Sequence, residues 1–368
     1  MTDLILGCDV SKGELQVCMI DGCKDKIVGT RKFPNNPTGI ESLLKWADGK
    51  SRGSDYTVIM EATGVYHENL VDSVYSHSVT AYVVTPKIIK HHIANHNRRY
   101  KNDRSDAYMI ASFGMSIGNG LNKVDIKPWE PYSPFYAELR SYSRQIVSLQ
   151  KTAVQMKNRM EALTSTGRTP GDIVESIQEI IDTIEDTIDA YERKLIETVD
   201  KDPTLKERIG HIVSIKGVGI LTAIHVVAAT DGFRLITGTR QLTAYAGLDI
   251  PENQSGRCSR PGHISKCGSS LIRRVLYMPA MASATSAHGI WHGLYLRIYE
   301  KSGGKGKKAI TAVMRKMLCL MFILWNKQKP FDRDYKWMPT QASKSDILEA
   351  GASFVPQNDS NGQKEGTT

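Results

Sequence analysis

Leu4-Ile5-Leu6-Gly7-Cys8-Asp9-Val10, the bend Ser11-Lys12-Gly13 and Glu14-Leu15-Gln16-Val17-Cys18-Met19-Ile20 form one continuous stretch, closed by Asp21-Gly22. An apolar run, a small polar break and a second run that partly alternates predict strand, bend and strand, with Asp21-Gly22 as a hairpin turn. Asp9 is the exception within the first strand. A carboxylate in a strand that should otherwise be buried is costly unless it is paired or bound to a cation.

Outward from this hairpin the pattern repeats. Tyr56 to Met60 is a short β-branched run ending at Glu61, followed by the small residues Ala62-Thr63-Gly64, and Ala81 to Val84 ends at Thr85-Pro86. Between them Tyr66 to Ser76 has helical spacing. Strands alternating with helices predict an α/β domain on a mixed sheet, residues 1–125. Within it Lys101-Asn102-Asp103-Arg104-Ser105-Asp106-Ala107 leads into the apolar helix Tyr108 to Phe113, and i, i+3 spacing puts Asp103 and Asp106 on one face. Each acid alone reads equally as a cap or turn residue. Four of them, Asp9, Glu61, Asp103 and Asp106, each where a mixed sheet could bring them together, suit hard Mg²⁺. Two such ions roughly 3.5–4 Å apart activate the attacking oxygen and stabilise the leaving oxygen of a phosphodiester.

Beyond residue 125 the sequence turns helical. Leu139, Tyr142, Ile146, Leu149, Ala153, Met156, Met160 and Leu163 keep a 3-4 spacing, and after a break at Gly167 to Gly171 the residues Ile173, Ile177, Ile180, Ile184, Ile188, Tyr191 and Leu195 trace a second apolar stripe. These predict a coiled-coil helical hairpin over 126–200, whose partner helix lies either in the same chain or in another. A mostly helical, Lys/Arg-rich region follows over 201–330. The polar segment 331–368 is read as a disordered tail without chemistry.

Lys and Arg number 48 against 39 Asp and Glu, a net charge of +9, which suits a polyanionic partner without proving one. The six cysteines, Cys8, Cys18, Cys23, Cys258, Cys267 and Cys319, contain no Cys-x-x-Cys pair, so they read as reduced thiols. Cys258, His263 and Cys267 lack a fourth ligand for zinc. The apolar stretches are interrupted by charges before roughly 18 residues, and the chain is expected to be cytoplasmic and free of membrane.

Ser214-Ile215-Lys216-Gly217-Val218-Gly219, running into Ile220 to Ala229, resembles a helix-hairpin-helix. Its glycines either present backbone N–H groups to a phosphate or simply turn the chain. Downstream, Ser255-Gly256 is followed by Arg257, Arg260, His263 and Lys266. Taken alone, Ser255 is a loop serine, with no Ser-His-Asp spacing to activate it; guanidinium groups and a metal could stabilise charge on a phosphoryl group it attacked. Two basic runs flank these regions. One holds Lys87, Lys90, Arg98, Arg99, Lys101 and Arg104; the other holds Arg297, Lys301, Lys305, Lys307, Lys308, Arg315 and Lys316. A charge run is usually a solvated face, but here both lie beside candidate reactive residues, which favours a nucleic-acid backbone. The Gly-rich segment Ser302 to Lys308 is predicted as a loop.

Gly-Cys-Asp-Val-Ser-Lys at 7–12, Glu-Ala-Thr-Gly-Val-Tyr at 61–66 and Asp-Arg-Ser-Asp-Ala at 103–107 resemble the Asp-Glu-Asp-Asp transposases of the insertion sequence 110 family. Asn102 departs from the Thr often found there. The order Ala246-Gly247-Leu248, Ser255-Gly256, His263 to Gly268 and Tyr277 to Met281 is similar to that family's C-terminal domain. The resemblance implies a RuvC-like, ribonuclease-H-fold N-terminal domain whose four acids hold Mg²⁺, with Ser255 as the nucleophile that forms a 5′-phosphoserine link to DNA. It also implies donor and target double-stranded DNA, a guide (bridge) RNA and a homo-oligomer, dimer or tetramer, in which the serine and the acids meet in cis or in trans. The rival is a RuvC-like Mg²⁺-dependent junction endonuclease that cuts by hydrolysis with Ser255 structural. A non-catalytic nucleic-acid-binding module is the third reading.

Overall fold

The computed structural model describes residues 3–24, 26–95, 103–118, 127–131, 133–165, 167–234, 236–250, 254–255, 258–259 and 263–332, with backbone alone at 91, 93–95, 103–105, 254–255 and 258–259. The first half builds β1 (Leu4–Val10), β2 (Glu14–Asp21), β3 (Lys26–Pro34), α1 (Pro37–Ser51), β4 (Tyr56–Glu61), α2 (Glu68–Ser76), β5 (Thr80–Val84), α3 (Pro86–Asn95) and α4 (Asp103–Gly118). The five strands form one sheet in the order β3-β2-β1-β4-β5. β1 is central, antiparallel to β2 and parallel to β4, which is itself parallel to β5. The sheet is therefore mixed, as the alternation of strand and helix signals predicts.

A central strand has two faces to cover, which is why β1 is apolar almost throughout. Leu6, Cys8 and Val10 join Val58 and Met60 in a core shared with Leu43 and Leu44 of α1 and Leu70 of α2. On the other face Ile5 and Ile59 meet Ile89 of α3 and Ala107, Ile110 and Phe113 of α4. The bend at 11–13 closes as Ser11 Oγ accepts from the Glu14 amide at 3.1 Å. Asp21 makes the next turn by accepting from the amides of Cys23 and Lys24 at 3.0 and 3.2 Å. Strand β3 and helix α1 carry weaker sequence signals, because β3 is largely exposed and short of apolar alternation. Asn36 nonetheless caps α1 by accepting from the Gly39 amide, with Pro37 at its first position.

The second half is helical: α5 (Pro134–Thr164), α6 (Gly171–Asp200), α7 (Pro203–Val213), α8 (Ile220–Ala229), α9 (Thr239–Tyr245), α10 (Ser270–Thr285), α11 (His292–Lys301) and α12 (Gly306–Lys327). Between α9 and α10 lie the two-residue strands β6 (Gln254–Ser255) and β7 (Cys258–Ser259). α5 and α6 pack together, with Tyr142 and Tyr191 edge to face at 5.4 Å and Lys157 bonded to Glu185 at 2.5 Å. The pair is not a free-standing stalk. Leu139, Ile146, Ile188 and Leu195 belong to the same core as α7 to α12.

Helix α12 runs through that core, burying Met317, Leu318, Met321 and Trp325. By length and composition it could cross a bilayer, an exception to the expectation from apolar run length, but 56% of its most apolar window is buried in the protein. It reads as a core helix. Its start also corrects the sequence reading of 302–308 as a loop. Gly303 and Gly304 make the turn with positive φ, while Lys307 and Lys308 already lie in the first helical turn and Lys305 caps it.

The segment 127–131 straps the halves together. The Trp129 amide donates to Ala81 O at 2.7 Å on β5, and Trp129 meets Tyr75 edge to face. At its other end Arg234 bonds Glu130, donates to Pro131 O at 2.9 Å and reaches Asp231 at 2.6 Å.

Candidate active site

The site is built from the sheet upward. Cys8 pairs with Met60 in the parallel register of β1 and β4, so the next positions, Asp9 and Glu61, stand side by side where these strands end. Both are half-buried. Asp9 follows Ile5 and Gly7, and Glu61 follows Ile59, on the face covered by α4, because alternate residues share a face.

Glycine sets how α4 meets that face. A methyl group on Gly7 would lie 2.4 Å from both Ala107 O and Ala111 N, and one on Gly114 would lie 2.6 Å from Ile59 and 2.9 Å from Ile5. As α4 advances from Ala107 to Gly114, β1 recedes from Gly7 to Ile5, so the two are antiparallel. The N-terminus of α4, with Asp103 and Asp106, therefore points to the end of β1 that carries Asp9. Asp106 is half-buried; the side chain of Asp103 lies outside the described residues.

The loops around this edge are tied. Asn35 Nδ2 donates to Ser11 O at 2.8 Å and to Tyr66 O at 3.0 Å, joining the bend after Asp9 to the loop after Glu61. The Ala62 amide donates to Val84 O at 2.8 Å. Sequence reasoning gave Asn35 no role, because nothing local distinguishes it. The Cys8 thiol is pushed far above its ordinary pKa, first by complete burial and then by the negative charge of Asp9, so it stays protonated and inert.

An all-carboxylate donor set of hard oxygens fits Mg²⁺ by its chemistry. Among the described residues no three His, Cys, Asp or Glu side chains converge on one point. That search includes Asp9, Glu61 and Asp106, so strand register sets Asp9 beside Glu61 while Asp106 makes no three-acid cluster with them, and the side chain of Asp103 lies outside the described residues.

Ser255 lies on the arm between α9 and α10, whose base is held by backbone hydrogen bonds. The Ser269 amide donates to Tyr245 O at 2.8 Å, the Lys266 amide to Gly247 O at 3.1 Å and the Ser265 amide to Asp249 O at 2.8 Å. Farther out Ser255 pairs with Cys258 and Gln254 with Ser259. Glycine is required at the root, where a methyl group on Gly268 would lie 2.3 Å from Tyr245 O. Arg273, another residue without a sequence-assigned role, fastens the root by donating to Ala246 O at 2.9 Å and Gly268 O at 3.1 Å.

Of the predicted nucleic-acid residues, Lys216 is exposed in the turn between α7 and α8. Gly217 has φ +97° and Gly219 caps α8, so α7 and α8 are joined by a turn that relies on glycine. Lys266 is exposed at the arm's root, with φ +53°. Lys305, Lys307 and Lys308 crowd the start of α12. Arg98, Arg99, Lys101, Arg257 and Arg260 lie outside the described residues, and Arg104 is placed by its backbone alone.

Two transposase family models match the chain, one of the IS110 DEDD type over residues 6–166 and one described as Transposase IS116/IS110/IS902 family over 210–296. The chain belongs to the IS110 family of transposases. The first match spans the acid-bearing sheet and the second spans the serine arm. The pilin gene-inverting protein of Moraxella bovis is 25% identical over 335 residues, covering 90% of this transposase and 99% of the relative. The transposase for insertion sequence element IS1111A of Coxiella burnetii is 24% identical over 298 residues, 76% of this chain and 77% of its own. Among solved structures, T. thermophilus RuvC in complex with a Holliday junction substrate covers 34% of this chain and 99% of its own at 13% identity, with a TM-score of 0.27. So low a score assigns nothing by itself; the mixed sheet rests on its register.

Proposed function

We propose that this transposase cuts and rejoins donor and target double-stranded DNA through Ser255, assisted by the carboxylates Asp9, Glu61, Asp103 and Asp106. What supports the reading is the register that places Asp9 beside Glu61 at the ends of β1 and β4, and the antiparallel seat of α4 on Gly7, which turns the helix end carrying Asp103 and Asp106 toward the same end of the sheet. The N-terminal domain is read as RuvC-like, supported by an antiparallel hairpin continued by parallel strands in the order β3-β2-β1-β4-β5.

The four carboxylates would hold Mg²⁺, which when bound supplies charge stabilisation at a phosphoryl oxygen. Ser255 Oγ forms a bond to phosphorus as the bond from phosphorus to the 3′-oxygen breaks. The serine proton is lost, the 3′-oxygen gains one, and a 5′-phosphoserine link remains. That link keeps the bond energy of the cut strand, so a 3′-hydroxyl from the exchange partner can displace Ser255 without an outside energy source.

Binding is assigned to Lys216, Gly217 and Gly219, to Lys266 beside the arm, and to the lysines opening α12. Arg98, Arg99, Lys101, Arg104, Arg257 and Arg260 are proposed to extend this surface. Guidance by a bridge RNA and assembly as a homo-oligomer, dimer or tetramer, follow from family membership as proposals, as does the division at residues 125, 200 and 330. The α5–α6 pair, read as a coiled coil, would join subunits through its outer end, where Val154, Ile173 and Ile180 are exposed.

The test uses the full chain with its co-purifying RNA, Mg²⁺ and nicked suicide DNA carrying the element ends. A covalent protein–DNA adduct that disappears in Ser255→Ala, with DNA binding kept, is the expected result. Free 5′-phosphate ends without an adduct would instead establish a hydrolytic junction endonuclease. Unchanged function in Asp9→Asn or Glu61→Gln would leave only a binding module.

A further inference from the structure

Lys87 stands at the second position of α3, three residues beyond Val84, which pairs with Glu61 across β4 and β5. It is exposed, and its ammonium donates to Cys267 Sγ at 2.9 Å. Cys267 belongs to the root of the arm that carries Ser255. One cation therefore links the sheet end bearing the acids to the segment bearing the serine.

Its position opposes the local electrostatics. The N-terminus of a helix is its positive end, where a lysine is unfavourable, and α3 has no acid in its first turn to offset it. Sulfur is a weak acceptor for a full positive charge. The contact with Cys267, and then the charge of Asp249, raise the pKa of Lys87 further, so the ammonium stays charged. Asp249 is itself engaged by the Ser265 hydroxyl. Lys87 thus holds a weak acceptor beside a candidate phosphoryl-transfer centre, where a phosphate oxygen would be a far stronger one.

We propose that Lys87 is a positioning residue of the recombination site: when DNA binds, its ammonium leaves the Cys267 sulfur for an oxygen of a backbone phosphate flanking the one Ser255 attacks. In the free chain the same ammonium restrains the arm, and the phosphate releases it. The inference rests on Ser255 being the nucleophile.

The experiment measures single-turnover adduct formation by the full chain with its RNA, Mg²⁺ and nicked duplex DNA at saturation, and the salt dependence of DNA binding. Lys87→Ala should slow adduct formation about tenfold, the weight of one charge-assisted phosphate contact. It should also lower the slope of log K against log salt by about one. Lys87→Arg should restore most of the rate, and Cys267→Ser should stay within about twofold of wild type, because the sulfur is given up on binding. Lys87→Ala within about twofold of a wild type that forms the adduct overturns the inference, since that is less than one charged hydrogen bond. So does an equal loss in Lys87→Arg. Cys267→Ser falling as far as Lys87→Ala overturns it in favour of a purely structural latch. A wild type that forms no Ser255-dependent adduct overturns the nucleophile reading instead, and this inference with it.

Discussion

Gly7 and Ala107 meet backbone to backbone: a methyl group on Gly7 would lie 2.4 Å from the Ala107 carbonyl oxygen, so β1 and α4 approach as closely as a glycine allows. That contact fixes how closely the first turns of α4, which carry Asp103 and Asp106 in the proposed site, approach β1. Gly7→Ala must push α4 away, and overpacking of this kind costs about 1–3 kcal/mol or more. Activity should suffer beyond stability, since a shift of about 1 Å in a catalytic group can cost roughly 10²-fold. Thermal melts and adduct rates below the melting range separate the two effects. A variant that is destabilised but fully active would show that α4 does not position the acids.

Neutralising either acid of the adjacent pair tests the metal assignment. Asp9→Asn and Glu61→Gln preserve shape while removing one charge. If the acids hold Mg²⁺, the wild type should melt higher with Mg²⁺ than without, by mass action on the folded state, and the increment should vanish in both variants. Melting with and without Mg²⁺ measures this; an undiminished Mg²⁺ increment in both variants refutes the assignment.

Arg234 joins Asp231, Glu130 and the Pro131 carbonyl with one guanidinium group. Asp231 is only 2% exposed while Arg234 is 41% exposed, so solvent screens part of the attraction but not the cost of leaving Asp231 unpaired. Arg234→Ala should cost about 1–3 kcal/mol, and Lys should not replace it, lacking the planar fork that reaches three acceptors. Limited proteolysis near 127–131 should accelerate in both variants. Unchanged cleavage would mean that the strap is held by Trp129 alone.

The legibility of the site follows from where its determinants lie. Asp9 and Glu61 are legible as candidates because one interrupts and the other ends an apolar strand, a conflict between a charge and its surroundings that a sequence displays directly. The sheet is visible for the same reason along β1, β4 and β5. Strand β3 is not, because Lys26 to Pro34 is largely exposed and its conformation follows from pairing with β2 and from the packing of Phe33 against Trp46 of α1. Lys305, Lys307 and Lys308 were read as loop residues from the glycines around them, whereas the apolar face of α12 extends the helix back to Gly306. Asn35, Arg273 and Lys87 work through partners distant in sequence, 24 residues away for Asn35 and Ser11 and 180 for Lys87 and Cys267. No local pattern encodes such pairs. The arm around Ser255 is similar, since its neck bonds join segments on either side of the serine.

His225 lies in α8 within the C-terminal core, with Nδ1 buried and without a hydrogen-bond partner among the described residues. Burial lowers its pKa from 6.5 to about 4. A depressed folded-state pKa means that the unfolded chain binds the proton more readily. The contribution is complete above pH 6.5 and is lost as pH falls toward 4. The full span corresponds to about 3 kcal/mol. His225→Leu removes both the titration and the orphaned nitrogen, so stability should be unchanged or higher at neutral pH and less acid-sensitive between these limits. Denaturant melts across that range decide it. An identical acid slope in wild type and variant would show that His225 titrates with water access.

Lys305, Lys307 and Lys308 gather at the positive end of α12, with no acid in its first turn. For folding alone this is the wrong charge in the wrong place, since a cation near a helix N-terminus forgoes the roughly 0.3–1 kcal/mol that an anion would contribute. Each lysine is exposed. Such a cluster is readily explained if an anion completes it, and a DNA or RNA phosphate has the charge and acceptors to do so. The triple alanine variant should therefore melt slightly higher than the wild type while binding nucleic acid more weakly. Its slope of log K against log salt should fall by roughly two to three, as each lost phosphate contact releases about 0.9 fewer counterions. Binding titrations over a salt series provide the measurement. If the slope stays the same while affinity falls, the lysines act through the shape of the turn at Gly303 and Gly304 and not through phosphate.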